Sequence, residues 1–428
     1  MSSRSGTPPD SGVPADSMGP LSRDAAAEAD ADDELAPVRR RFVLSDGMIY
    51  LDGNSLGAMP STVPAAMSDA LHRQWAADLI SSWNVNGWWE LPARLGDRIG
   101  ALLGAAPGQV LCGDSTSVQL FQALVGACRM RPDRTVLLTD GVGFPTDQYV
   151  ADSVARLLNL TVVRVHPREL DSHLDDRVAA VSLSMVDYRS GELFDTHSIT
   201  TAVQAAGAVM VWDLCHSAGA LPVDLDAANV DFAVGCGYKY LNGGPGAPAY
   251  IYIARRHLSA ADLPLTGWHG HRAPFEFEQH YVPAASIRRA RIGTPPLLSM
   301  LALEAGLDCF DGVGLPAVRA KSLAMTDLAI GYADQHLTGY GIEVVTPREH
   351  HRRGSQVSLR MPQAYQVCQA LIDRRVIGDF RAPDVLRLGF TPLYLRHVDV
   401  FDAMTALHDV VATGSYRDPS FMGRSTVT

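Results

Sequence analysis

Between about residues 135 and 254, short apolar runs alternate with longer amphipathic segments. Strand-like runs fall at 135–140 (TVLLTD), 160–166 (LTVVRVH), 180–185 (AVSLSM), 208–213 (AVMVWD), 231–236 (DFAVGC) and 250–254 (YIYIA), while 145–158 and 197–207 carry helical spacing. Continuous apolar runs separated by helices predict a mostly parallel sheet covered by helices, an α/β architecture. Ligands of such sheets gather at the carboxyl ends of strands, so polar residues directly after an apolar run are the first site candidates. Asp213 is one. After about residue 312 the texture changes: helical spacing at 314–335, a polar loop at 346–355, a run at 356–361, a helix-like segment at 362–375 and a run at 385–390. This predicts a smaller α+β domain. Periods of 20–50 residues do not recur, which argues against a solenoid.

Composition narrows the class. Hydrophobic residues make up 47% and charged residues 19% of the 428 positions, enough apolar material for a large core. The charge sum, 36 − 47 = −11, argues against a nucleic-acid or anionic-membrane partner. Much of the acidity lies in residues 1–38, where eight acids face only Arg4 and Arg23. That stretch has almost no aromatic or β-branched residues to bury, and it is expected to be a disordered acidic tail. Six scattered cysteines without a C-x-x-C pair read as reduced, buried thiols. With no apolar run long enough to span a bilayer, a soluble cytoplasmic protein is expected.

The stretch 208–246 (AVMVWDLCHSAGALPVDLDAANVDFAVGCGYKYLNGGPG) carries the chemistry. It places a carboxylate, Asp213, at one strand end and a lysine, Lys239, just past the end of the next strand-like run. A buried lysine can act as an amine nucleophile toward an aldehyde cofactor, and pyridoxal phosphate also needs an acid to keep its ring nitrogen protonated. The turn at 113–117 (GDSTS), opening an apolar-periodic helix, offers free N–H groups for a phosphate, or is simply a helix cap.

Four blocks together make the chain resemble the kynureninases, pyridoxal-phosphate hydrolases of fold type I in the class V aminotransferase-like group. They are 50–57 (YLDGNSLG), 113–121 (GDSTSVQLF), 211–225 with 238–248 (YKYLNGGPGAP), and 267–271 (GWHGH) with 291–296 (RIGTPP). The likeness runs from about Arg41 to Ala412. It implies a large cofactor-binding domain with a seven-stranded-type sheet at 71–311, a small C-terminal domain at 312–428, and a segment 39–70 packing with the small domain. Lys239 is implied as the Schiff-base lysine and Asp213 as the partner of the pyridine nitrogen. Tyr238 is implied at the phosphate and in proton transfer, His216 beside the cofactor, Phe144 stacked on its ring and Asp147 near its hydroxyl. Thr116 and Ser117 are implied phosphate ligands. Trp268 and Thr294 correspond to residues that reach the site from the partner subunit of the family's homodimer. Arg387 corresponds to the arginine of the substrate carboxylate, with Asn54, Ser55 and Trp83 near the substrate. The Trp83/Thr294 combination resembles the kynurenine-preferring pattern over the 3-hydroxykynurenine one.

Strand alternation gives Arg387 separate support. In VLRLGF, Leu386, Leu388 and Phe390 share one face, leaving Arg387 on the other with its fork free for a carboxylate; a surface arginine on a half-exposed strand is the alternative. The His269/His271 and His350/His351 pairs lack a third ligand at recognisable spacing, so no metal is expected. The competing functions are an aminotransferase or cysteine desulfurase, for which Cys309 and Cys368 look too buried to serve as the reactive thiol, and a non-catalytic pyridoxal-phosphate-binding protein. A nicotinamide dehydrogenase is excluded by the lack of G-x-G-x-x-G after a strand.

Overall fold

The structure, a computed structural model, describes residues 21–423. Its centre is a seven-stranded sheet in the order Val110–Cys112, Ala249–Ile253, Phe232–Cys236, Val209–Asp213, Val178–Ser184, Val136–Asp140, Thr161–Val165. The last five of these are mutually parallel, and Ala249–Ile253 is antiparallel to both of its neighbours. Val178–Ser184 is buried at every position because helices cover both faces, so the apolar run lacks period-2 alternation. Trp212 on the adjacent strand is fully buried, and its indole N–H donates to Thr200 Oγ1 at 3.0 Å, pinning the helix Thr196–Ala205 to the sheet. The central strands end on Asp140, Ser184, Asp213 and Cys236, with Ser184 and Asp213 directly paired. The edge strand Val110–Cys112, only three residues long, was not among the predicted runs.

The C-terminal part holds a four-stranded antiparallel sheet in the order Asp379–Arg381, Val385–Gly389, Gln356–Arg360, Glu343–Val344. The helices Leu315–His336 and Ala364–Asp373 match the predicted segments, whereas the helix His397–Thr413 was not predicted. The chain's early segment joins this part: Ile49–Tyr50 pairs in parallel with Val376–Ile377, and the Gly389 N–H donates to Leu51 O at 2.7 Å. This carries Ser55 to the sheet edge. The Gly57 N–H then donates to Tyr238 O at 2.8 Å, and a side chain at Gly57 would collide with the Lys239 carbonyl and Asn242.

The disorder expected as far as Val38 is corrected over residues 21–38; residues 1–20 of that tail lie outside the described residues. Ser22 caps a helix Arg23–Ala31, followed by a 3-10 helix Ala36–Arg41. Two acids of this stretch, Asp30 and Asp33, have specific partners. Asp30 accepts the His397 and Val398 N–H groups at 2.6 and 3.0 Å, satisfying the positive end of the helix His397–Thr413. Asp33 pairs with the buried ammonium of Lys321 at 2.7 Å, and Arg23 with Asp402 at 2.8 Å. Apolar content alone misses docking of this kind, since a short helix can be held by capping and ion pairing.

Candidate active site

A cleft of about 310 Å³ opens at the carboxyl ends of the central strands. It brings together Ser55, Thr116, Ser117, Phe144, Asp147, Asp213, His216, Tyr238, Lys239 and Arg387, ten of the fourteen expected site residues. Ser55 and Arg387, the extremes, lie 332 positions apart in the sequence and meet because the strand ends, the 238–242 turn and the C-terminal sheet converge there.

Lys239 follows the strand Phe232–Cys236, and its Nζ lies 3.0 Å from His216 Nε2. Burial, then the Lys239, Arg387 and Arg381 charges, hold the His216 imidazole well below its usual value, so it is neutral and accepts from the ammonium. Asp213 ends its strand and accepts the Cys215 N–H on Oδ1 at 2.9 Å, with Ser184 Oγ at 3.5 Å from Oδ2. Burial, then Asp213, pushes the Asp147 carboxyl well up. The Tyr238 phenol is likewise pushed up, first by burial and then by the neighbouring Cys236 and Cys215.

At the other end of the cleft, Ser115 caps the helix Thr116–Arg129 by accepting the Val118 N–H. Thr116 and Ser117 therefore occupy its first turn, where backbone N–H groups have no partner within the helix. Phe144 is a rim residue, 46% exposed, with its ring edge-on to Tyr188 at 5.3 Å.

Arg387 requires a correction. Its strand is buried on both faces, and its fork is already occupied. Nε donates to Asp379 Oδ1 at 2.9 Å, Nη2 donates to Asp379 Oδ2 and to Ser55 Oγ at 2.8 Å, and Nη1 donates to Tyr188 O at 2.7 Å. Sequence reasoning also missed Asp379, Arg381 and Tyr188. The signal was present in DFR: Asp379 and Arg381 share a strand face, and Asp379 lies directly opposite Arg387 in the register.

Four expected residues do not line the cleft within one chain. Asn54 is fully buried beneath Gly389, with both amide atoms lacking a partner. Trp83 and Trp268 belong to an aromatic cluster with Trp89 and His269, and Thr294 is exposed. Of the histidines weighed for metal, His271 bonds to the His280 carbonyl and the Ala273 N–H, and His350 to Asp327 at 2.8 Å.

These residues fit the expected pyridoxal phosphate. Asp213 keeps carboxylate lone pairs unfilled for a pyridinium N–H, the buried His216 Nδ1 has no partner, and Thr116 and Ser117 bring free N–H and hydroxyl donors for the phosphate. Lys239 would supply the amine.

Residues 318–407 match the family model described as the kynureninase C-terminal domain. The chain is 47% identical over 413 residues to a kynureninase of Burkholderia pseudomallei strain 1106a, covering 95% of this chain and 99% of that protein. It is 50% identical over 388 residues to a kynureninase of Deinococcus radiodurans, covering 89% and 94%. Among solved structures, an apo cysteine desulfurase from Thermococcus onnurineus NA1 superposes with a TM-score of 0.75 at 18% identity, covering 88% of this chain and 98% of that one. The cysteine desulfurase CsdA from Escherichia coli gives 0.72 at 18%, covering 89% and 98%. At those identities the structural likeness speaks for the fold alone, whereas the sequence relatives extend over nearly the whole chain: the chain belongs to the kynureninase family.

Proposed function

We propose that this chain is a pyridoxal-phosphate-dependent hydrolase that splits the Cβ–Cγ bond of L-kynurenine, or of a ring-substituted relative, into anthranilate and L-alanine. The observation that carries it is the convergence of Lys239, Asp213 and the Arg387/Ser55 pair on one cleft in a chain of this family. Bound at Lys239, the cofactor supplies an electron sink for the bonds to the substrate's α-carbon. Asp213 keeps the ring nitrogen protonated, and Thr116 and Ser117 hold the phosphate. Phe144, at the cleft rim, and Asp147 would flank the cofactor ring. Lys239, beside the uncharged His216, would take the α-proton as general base. Arg387, through the one Nη1 N–H its partners leave uncommitted, would bind the α-carboxylate, with Ser55 beside it. Tyr238, kept protonated by burial, donates and recovers the proton needed when water adds to the side-chain ketone.

Further parts of the reading are a large domain at 71–311, a small one at 312–428, and a homodimer in which Trp268 and Thr294 complete the partner's cleft. The dimer is supported by the exposed Trp268 and by the position of both residues outside their own chain's cleft. A cytoplasmic location is supported by six free cysteines, all buried. The same burial weighs against a desulfurase, which needs an accessible thiolate. Trp83 and Thr294 favour L-kynurenine over 3-hydroxykynurenine. Chromatography of the products tests the reaction class: equal amounts of anthranilate and L-alanine are expected, and a keto acid in place of alanine would mean transamination.

A further inference from the structure

The carboxylate end of the cleft holds two guanidiniums, and the better known of them has little left to give. Four of the five N–H donors of Arg387 are committed to Asp379, Ser55 and the Tyr188 carbonyl, and its side chain is 1% exposed. Arg381 grips the same carboxylate from the neighbouring strand, with Nη2 donating to Asp379 Oδ2 at 2.6 Å and to Ser55 Oγ at 3.1 Å. It differs from Arg387 in two ways. Both line the cleft, but the Arg381 side chain keeps 30% exposure, and its Nε is buried without a partner. Its Nη1 contact with the Phe380 carbonyl, at 3.5 Å, is at the limit of a hydrogen bond.

The charge count points the same way. Arg381 and Arg387 face Asp379 and Asp52, and burial together with Asp379 pushes the Asp52 carboxyl up to about 7. Near neutrality Asp52 is about half protonated, so the two arginines outweigh the two carboxylates and the cluster keeps a net positive charge that attracts a substrate carboxylate.

We propose that Arg381 is a second ligand of the substrate's α-carboxylate, so that recognition is by a two-arginine clamp anchored on Asp379 and Ser55. The inference rests on the amino-acid-site reading above, and it assigns specificity: a free α-carboxylate is read by two cations, and amines or amides that lack it are rejected. Charge-assisted hydrogen bonds of this kind are each worth about 10–100-fold in binding.

The test uses holoenzyme and two probes, L-alanine and kynuramine, the decarboxylated counterpart of L-kynurenine, with dissociation constants read from the cofactor absorbance. Arg381→Met is expected to weaken L-alanine about 10–100-fold while changing kynuramine less than about 2-fold. Arg381→Lys, which keeps the charge but not the fork, is expected to fall between and covers the case in which Arg381→Met does not fold. Equal losses for both probes, or none for either, overturn the proposal, since a purely structural role moves both alike. Arg387→Met run beside it separates the two levels. If neither arginine variant affects L-alanine, the carboxylate site itself is misassigned; if only Arg387→Met does, the clamp alone fails.

Discussion

Asp52 sits beside Asp379, behind the two cleft arginines, with Oδ1 lacking a partner. Burial and its like-charged neighbour raise its carboxyl from 3.8 to about 7, so the folded chain holds a proton that the unfolded chain releases across that interval. The sign follows directly. The contribution of this group to stability is fully present below about pH 4 and is lost as pH rises toward 7. Asp52→Asn, which mimics the neutral form, is expected to gain on the order of 1–3 kcal/mol over wild type at pH 8 and nothing at pH 4. Denaturant melts at the two pH values check this. A difference that does not change with pH would contradict the assignment. Also at this scale, Gly57→Ala is expected to displace the Lys239 turn, because any side chain there meets the Lys239 carbonyl. Loss of cofactor uptake at unchanged secondary structure is the readout.

Elements were legible in proportion to how much apolar burial defines them. The central strands and the helices Pro145–Leu158 and Thr196–Ala205 stood out because both sheet faces are covered. The strand Val110–Cys112 is too short to register as a run, and the helix Arg23–Ala31 is held by ion pairs that apolar patterning does not see. The cleft followed the same logic. Lys239 and Asp213 were legible because they fall at or just past the ends of apolar runs, and the turn holding Thr116 read as a phosphate cradle or a plain cap, whereas Phe144 and Tyr238 needed the family resemblance. Arg381 and Asp379 were missed because a charged pair on a buried strand looks like a surface strand in sequence. The docking of the N-terminal helix carries its own expectation. Asp33→Ala leaves the Lys321 ammonium buried without its counter-ion and is expected to cost about 3–5 kcal/mol. Adding Lys321→Met should recover much of that loss in thermal melts. An Asp33→Ala protein as stable as wild type would show that this contact contributes nothing.

Among the exposed large apolar side chains, Trp75, Leu79, Ile80 and Val85 fall within one short stretch at 56–81% exposure. Exposed apolar groups gathered in this way mark an association surface. Ile80→Glu is expected to shift the sedimentation mass from about twice 46.0 kDa to a single chain and to lose turnover with it, because Trp268 and Thr294 do not reach their own chain's cleft. An unchanged mass would move the interface elsewhere. The account as a whole stands on one reaction at one lysine. Fluorescence of anthranilate released from L-kynurenine, run beside 3-hydroxykynurenine with added pyridoxal phosphate, measures it directly. Release that falls by at least about 1,000-fold in a folded Lys239→Ala protein, and that is faster with L-kynurenine, is the predicted result. Cofactor colour without anthranilate, or release that survives Lys239→Ala, would contradict it.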